Sequence, residues 1–105
     1  MIKLWIDDVR PAPDGYYRVA LTSVALAKAY IEKYEKYGDV NDPIEFIDID
    51  HDAGDYAQYD GDYIKLLDWL EETGRNYPIR IHSMNPVGVQ NMRAIIRRNG
   101  WTEVF

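Results

Sequence analysis

Six acids and both histidines of this chain fall in three short phrases. "IDDVR" (Ile6–Arg10) carries Asp7 and Asp8. "DIDHDAGD" (Asp48–Asp55) carries Asp48, Asp50, His51, Asp52 and Asp55. "IHSMNP" (Ile81–Pro86) carries His82, Ser83 and Asn85. An unpartnered buried carboxylate is costly, so chains rarely crowd them without compensation. Where several acids meet, one of them holds a proton or a cation sits among them. A small set of hard oxygen ligands suits Mg²⁺ or Mn²⁺, with water or a ligand phosphate completing the shell. Asp8 and Asp50 are the expected principal ligands, with Asp7 or Asp52 assisting. Imidazoles titrate near neutral pH, so His82 and His51, with Asp52 alongside, are the candidate acid and base. Together these groups fit metal-assisted phosphoester hydrolysis.

Chemistry of this kind needs elements that bring the three phrases together. "KLWID" (Lys3–Asp7), "IEFIDID" (Ile44–Asp50) and "PIRIHS" (Pro78–Ser83) read as buried strands. "YYRVAL" (Tyr16–Leu21) and "WTEVF" (Trp101–Phe105) read as further strands, the last at an edge. "RPAPDG" (Arg10–Gly15) and "GDYAQYDGD" (Gly54–Asp62) are loops by composition. A helix follows Thr22 or Ser23, with a stripe at Val24, Ala27, Ile31 and Tyr34 and a stop at Gly38. A second spans Tyr63–Gly74, with Ile64, Leu67 and Leu70 inward and Gly74 just past its end. The third opens with Asn85 as N-cap and Pro86 at the first helical position, and ends in Arg97 and Arg98 before Gly100. Strands alternating with helices predict an α/β fold: one domain over residues 1–105, a mostly parallel sheet of about five strands, and helices on both faces in three layers. Ligands of such sheets bind beyond the carboxyl ends of the strands. All three polar phrases lie at such ends. The third helix would aim its N-terminal dipole at the same place, and Gly88 in its first turn would allow a close approach.

Composition sets the outer bounds. The chain has 105 residues, 47% of them hydrophobic, enough for one packed core. It contains no cysteine, so disulfides, thiol nucleophiles and zinc–thiolate sites are excluded and a cytoplasmic setting is expected. The net charge of −6 argues against broad binding to a nucleic-acid backbone or an anionic membrane. A small phosphorylated ligand remains compatible, because a metal inverts the local field. No membrane span and no signal peptide are expected.

The phrases "LWIDDVRPAP", "DIDHDAG" and "IHSMNPVG" resemble the cyclic-phosphate processing receiver domain, a receiver-like (flavodoxin-like) family, and the resemblance spans nearly the whole chain. It places the family's polar positions on Asp7, Asp8, Arg10, Asp50, His51, Asp52, His82, Ser83 and Asn85. What it implies is handling of a cyclic phosphate, a cyclic nucleotide or an RNA terminus. Two features depart from signalling receivers. Strand four ends in His-Ser followed by Asn-Pro, and "WTEVF" lacks the lysine that contacts a phosphoryl group.

Plainer roles compete at several positions. Arg10 could pair with a neighbouring acid instead of phosphate, and His51 or His82 could tie down a loop. Ser83 is a phosphate contact before a nucleophile, and capping alone accounts for Asn85. Asp48 lies deeper on the strand, outside the expected cleft, with no role assigned. Asp55, Asp60 and Asp62 read as turn or cap residues. Tyr30, Tyr34 and Tyr37 form a helix face, while Tyr56 and Tyr59 are candidates for stacking on a base. Arg93, Arg97 and Arg98 read as a solvated helix end. The functions in contention are a metal-dependent phosphoesterase, a non-catalytic sensor or sponge for the same ligand, and a receiver with Asp50 as phosphoacceptor.

Overall fold

The computed structural model describes residues 1–59 and 61–105, and of residues 17–20 and 56 the backbone alone. Asp60 and the side chain of Tyr56 lie outside the described residues. Five strands form one sheet: β1 (Ile2–Ile6), β2 (Tyr17–Leu21), β3 (Ile44–Ile49), β4 (Ile79–Ile81) and β5 (Glu103–Val104). Their order is β2-β1-β3-β4-β5 and every pairing is parallel. The helices are α1 (Val24–Tyr37), α2 (Ile64–Glu72) and α3 (Pro86–Asn99), and a short 3-10 helix at Gly54–Gln58 lies inside the expected loop.

Local signals explain the boundaries. Ser23, not Thr22, caps α1 by accepting from the Leu26 N–H. Asn85 caps α3 by accepting from the Gly88 N–H, with Pro86 following as expected. Gly74 and Gly100 take the left-handed conformation (φ 70° and 67°) that ends α2 and α3. Leu66, Leu67 and Leu70 are the buried residues of α2, and Ile64 only packs against the edge of the core.

The α/β parallel class is as expected, but the layering is one-sided. The crossovers β2 to β3, β3 to β4 and β4 to β5 all step in the same direction across the sheet. Right-handed connections stepping one way place their helices on one face. Only the β1 to β2 connection steps the other way, and among the described residues it contains no helix. The expectation of helices on both faces therefore fails, because it took alternation of elements without the order of the strands.

Side-chain alternation agrees. The cross-strand rows Leu4–Ile47–Ile79 and Ile6–Ile49–Ile81 face the helices; all but the half-buried Ile81, which packs against it, form the core with Val24, Ala27, Ile31, Leu66, Leu67, Leu70, Met92, Ile95 and Ile96. Arg93 of α3 reaches Glu103, the β5 residue paired with Ile79, at 2.7 Å. The intervening row, Trp5–Asp48–Arg80, points the other way, to a face flanked by Tyr16 and Phe46. No helix among the described residues is long and apolar enough to cross a membrane.

Candidate functional site

Two residues beyond Trp5, Asp48 and Arg80 come Asp7, Asp50 and His82. Period-2 alternation carries that row onto the same open side of the sheet, at the carboxyl ends of three neighbouring strands. One ligand atom from each of the three lies within 4.8 Å of the others. The sequence phrases that looked remote are thus brought to one corner by strand register.

Asp7 is only 5% exposed. Its Oδ1 accepts the N–H groups of Val9 and Arg10, both at 3.0 Å, in the turn that leaves β1. Its Oδ2 faces His82 Nε2 at 2.8 Å. Burial pushes the Asp7 pKa up, but the Arg10 and Val9 amides and His82 more than offset this, so it lies below the ordinary value. Asp8 behaves oppositely. Burial raises its pKa, and the charges of Asp7 and Asp50 raise it further. Asp8 lies against Gly54, whose φ of +55° and lack of a side chain allow the approach; a Cβ there would collide with Asp8 Oδ2. Asp50 Oδ1 accepts the His51 N–H at 2.7 Å.

His82 is enclosed on every side that matters for proton transfer. Nδ1 meets Asp48 Oδ1 at 2.6 Å and Nε2 meets Asp7 Oδ2 at 2.8 Å. The Trp5 indole stacks on the ring at 3.9 Å and 3°. Burial alone would lower the His82 pKa, but the two carboxylates outweigh it and raise the pKa above the usual 6.5. His82 therefore favours the imidazolium form, with both N–H groups donating and its face on an aromatic ring.

Asp48 is the residue that sequence reasoning set aside. It is fully buried, and Oδ2 accepts from Tyr16 Oη at 2.6 Å and from Arg80 Nη1 at 2.8 Å, while Oδ1 takes His82. Burial works to raise its pKa, and His82, Tyr16 and Arg80 together bring it below the ordinary value. The Tyr16 hydroxyl is pushed up to about 12 by burial and by Asp48. The signal was present in sequence: Asp48 precedes Asp50 by two, as Trp5 precedes Asp7 and Arg80 precedes His82. Without the register, that common spacing had no partner to act on.

On the helix side of the same edge, His51 packs against α3. Its Nδ1 lies 2.8 Å from Asp52 Oδ1, which also receives Asn85 Nδ2 at 3.5 Å. A Cβ on Gly88 would come within 2.5 Å of the His51 ring, so the close approach expected at Gly88 is made by this imidazole. Ser83 Oγ accepts the Asn85 N–H at 3.1 Å and shapes the turn into α3. Arg10 sends Nη1 to the His82 carbonyl at 3.4 Å, and its own carbonyl accepts Trp5 Nε1 at 2.8 Å. Every residue expected in the site thus lies at this strand edge, but on two sides of it. Asp55, Asp62 and Tyr59 belong to the adjoining loop, where Asp62 Oδ1 accepts the Ala53 N–H.

The chain matches the family model for the cyclic-phosphate processing receiver domain over residues 2–98. It belongs to that family. Comparison with curated proteins gives no match, and comparison with solved structures gives none. In this receiver domain the corner acids fit a divalent cation by their chemistry. Asp7 and Asp50 bring carboxylate oxygens within 4.8 Å of each other and of a His82 nitrogen, and Asp8 has a pKa raised first by burial and then by the charges of Asp7 and Asp50.

Proposed function

We propose that this receiver domain is a divalent-metal-dependent phosphoesterase acting on a cyclic phosphate, carried by a cyclic nucleotide or an RNA terminus. The observation that carries the reading is the convergence of Asp7, Asp8 and Asp50, with Asp8 destabilised as an anion by burial and by the other two. A bound Mg²⁺ or Mn²⁺ would supply polarisation of a phosphoryl oxygen and a more acidic water. The chain's own residues have separate duties. Asp7 is fixed by two backbone amides and His82, so it meets a cation without reorganising. Asp8 and Asp50 supply the remaining charge. His51, with Nδ1 toward Asp52, keeps Nε2 for taking or giving a proton. The α3 N-terminus, capped by Asn85, faces the same edge with its positive dipole end, and Arg10 adds a cation for phosphate oxygens. The lack of cysteine is compatible with a cytoplasmic setting.

One observation favours a second reading, a binding module for the same ligand. Both nitrogens of His82 are taken by carboxylates, which leaves His51 to handle protons alone. Thermal melting with Mg²⁺, Mn²⁺ or EDTA, with and without 2′,3′-cyclic and 3′,5′-cyclic nucleotides, separates the two when each sample is then chromatographed. Ligands of the folded state raise the melting temperature. A metal-dependent shift with the nucleotide opened supports the phosphoesterase. The same shift with the nucleotide intact supports the binding module, and no shift with any combination removes both.

A further inference from the structure

Asp48 sits on the face of the sheet that no helix among the described residues covers, one row below the corner, yet one of its two shortest contacts is with a residue of the corner. The stacking of His82 on Trp5 fixes the plane of the imidazole. It does not fix which edge faces Asp7, because the ring torsion of histidine is roughly two-fold. Turned over, the ring would offer a carbon where Nε2 now stands. The carboxylates that take the two nitrogens decide between the two, Asp7 at Nε2 and Asp48 at Nδ1. Asp48 is the one of the pair that lies outside the cation corner and can hold the ring without being a ligand itself.

Asp48 is itself held from two directions. Tyr16 Oη and Arg80 Nη1 both reach Oδ2, leaving Oδ1 for His82. No buried side-chain polar atom among the described residues lacks a hydrogen-bond partner, so the cluster is fully satisfied. The bonds form one chain across the sheet: Tyr16 and Arg80 to Asp48, Asp48 to His82, His82 to Asp7, and Asp7 to the turn amides.

We propose that Asp48 is a positioning residue of the cation site, acting through His82 on Asp7 from the uncovered face of the sheet. The inference rests on the cation-binding reading above. It assigns the open-face row a task in ligand binding besides stability. Asp48 orients His82, and Nε2 of His82 holds Oδ2 of Asp7, whose carboxylate lies within 4.8 Å of that of Asp50.

The test is Mn²⁺ affinity by titration calorimetry on the whole chain, beside melting temperature in EDTA. Asp48→Ala is expected to lose about 10–100-fold in Mn²⁺ affinity, the range seen when an outer-shell partner is removed. Asp48→Asn keeps an oxygen for Nδ1 and is expected to recover part of that loss. Tyr16→Phe, which leaves the Asp48–His82 contact in place, is expected to lose less than either. A purely structural Asp48 would lower the EDTA melting temperature and leave Mn²⁺ affinity unchanged in the folded variants, and that result would overturn the proposal. If Asp48→Ala does not fold, Asp48→Asn decides alone: affinity equal to that of the unsubstituted chain overturns it. Failure of the unsubstituted chain to bind Mn²⁺ is a separate outcome, which removes the cation reading and the positioning role with it.

Discussion

The two histidines sit at the same sheet edge and live in opposite surroundings. His82, on the open side, is locked between Asp48 and Asp7 and stacked on Trp5. The ring of His51, on the helix side, meets one acid, Asp52, that is itself largely exposed, and rests against the bare backbone of Gly88. Sequence alone makes both candidate acid–base groups, His51 by its place between two acids and His82, the stronger, by its place at the end of a buried strand beside a helix start. The structure separates them: the His82 ring is held between two carboxylates, and the His51 ring has Asp52 as its one partner among the described contacts. A histidine with two carboxylate partners is held too firmly to pass protons, whereas one with a single partner keeps its tautomer and its reactivity.

Replacing each histidine in turn breaks the comparison most strongly. His82→Gln strips two buried carboxylates of their shared cation and should cost about 3–5 kcal/mol in urea denaturation. His51→Gln should cost less than about 1 kcal/mol in the same experiment, while removing most turnover of any cyclic substrate. Equal losses of stability would erase the distinction.

Acidity sharpens it next. The folded pKa of His82 is raised, so its contribution is full below 6.5 and is lost as pH rises through the higher folded value. Asp7 and Asp48 have lowered pKa values, so theirs is present above 3.8 and is lost as pH falls through the folded values. Stability should therefore peak on the acid side of neutral. On the alkaline side, neutral His82 keeps one N–H for two carboxylates, a loss of roughly 1.5–3 kcal/mol for the charge-assisted bond. Denaturation midpoints across pH check this, and His82→Gln should flatten the alkaline limb.

The smallest effect belongs to Asp8. Burial and the charges of Asp7 and Asp50 raise its pKa, so Asp8→Asn in EDTA should stabilise the fold by about 0.5 kcal/mol, the scale of an accessible charge interaction. Added Mn²⁺ should then stabilise the variant less than the unsubstituted chain.

Much of this molecule was legible before any coordinates. α3 was written between Asn85-Pro86 and Gly100, because caps act within a few residues and need no tertiary context. The three polar phrases pointed to one sheet edge, since parallel strands end together. The one-sided layering was not legible, because the direction of each crossover depends on strand order, which no local pattern encodes. Asp48 was missed for a related reason. An acid inside an apolar strand is explained only by its cross-strand neighbours, Trp5 and Arg80, and by the diagonal His82. Those positions are 32 to 43 residues away in the chain, and register alone makes them adjacent.

The all-parallel pairing also bears on how the chain reaches its folded state. No two strands are joined by a hairpin, so no sheet contact can form early from neighbouring residues. The first central pairing, β1 with β3, closes a loop of about 40 residues, which makes folding slow compared with chains of local contacts. That same pairing draws Asp7 and Asp8 up to Asp50. The acids that meet at the corner of the finished domain are therefore an electrostatic barrier on the way to it. A divalent ion present during refolding should speed the folding arm as well as slow the unfolding arm.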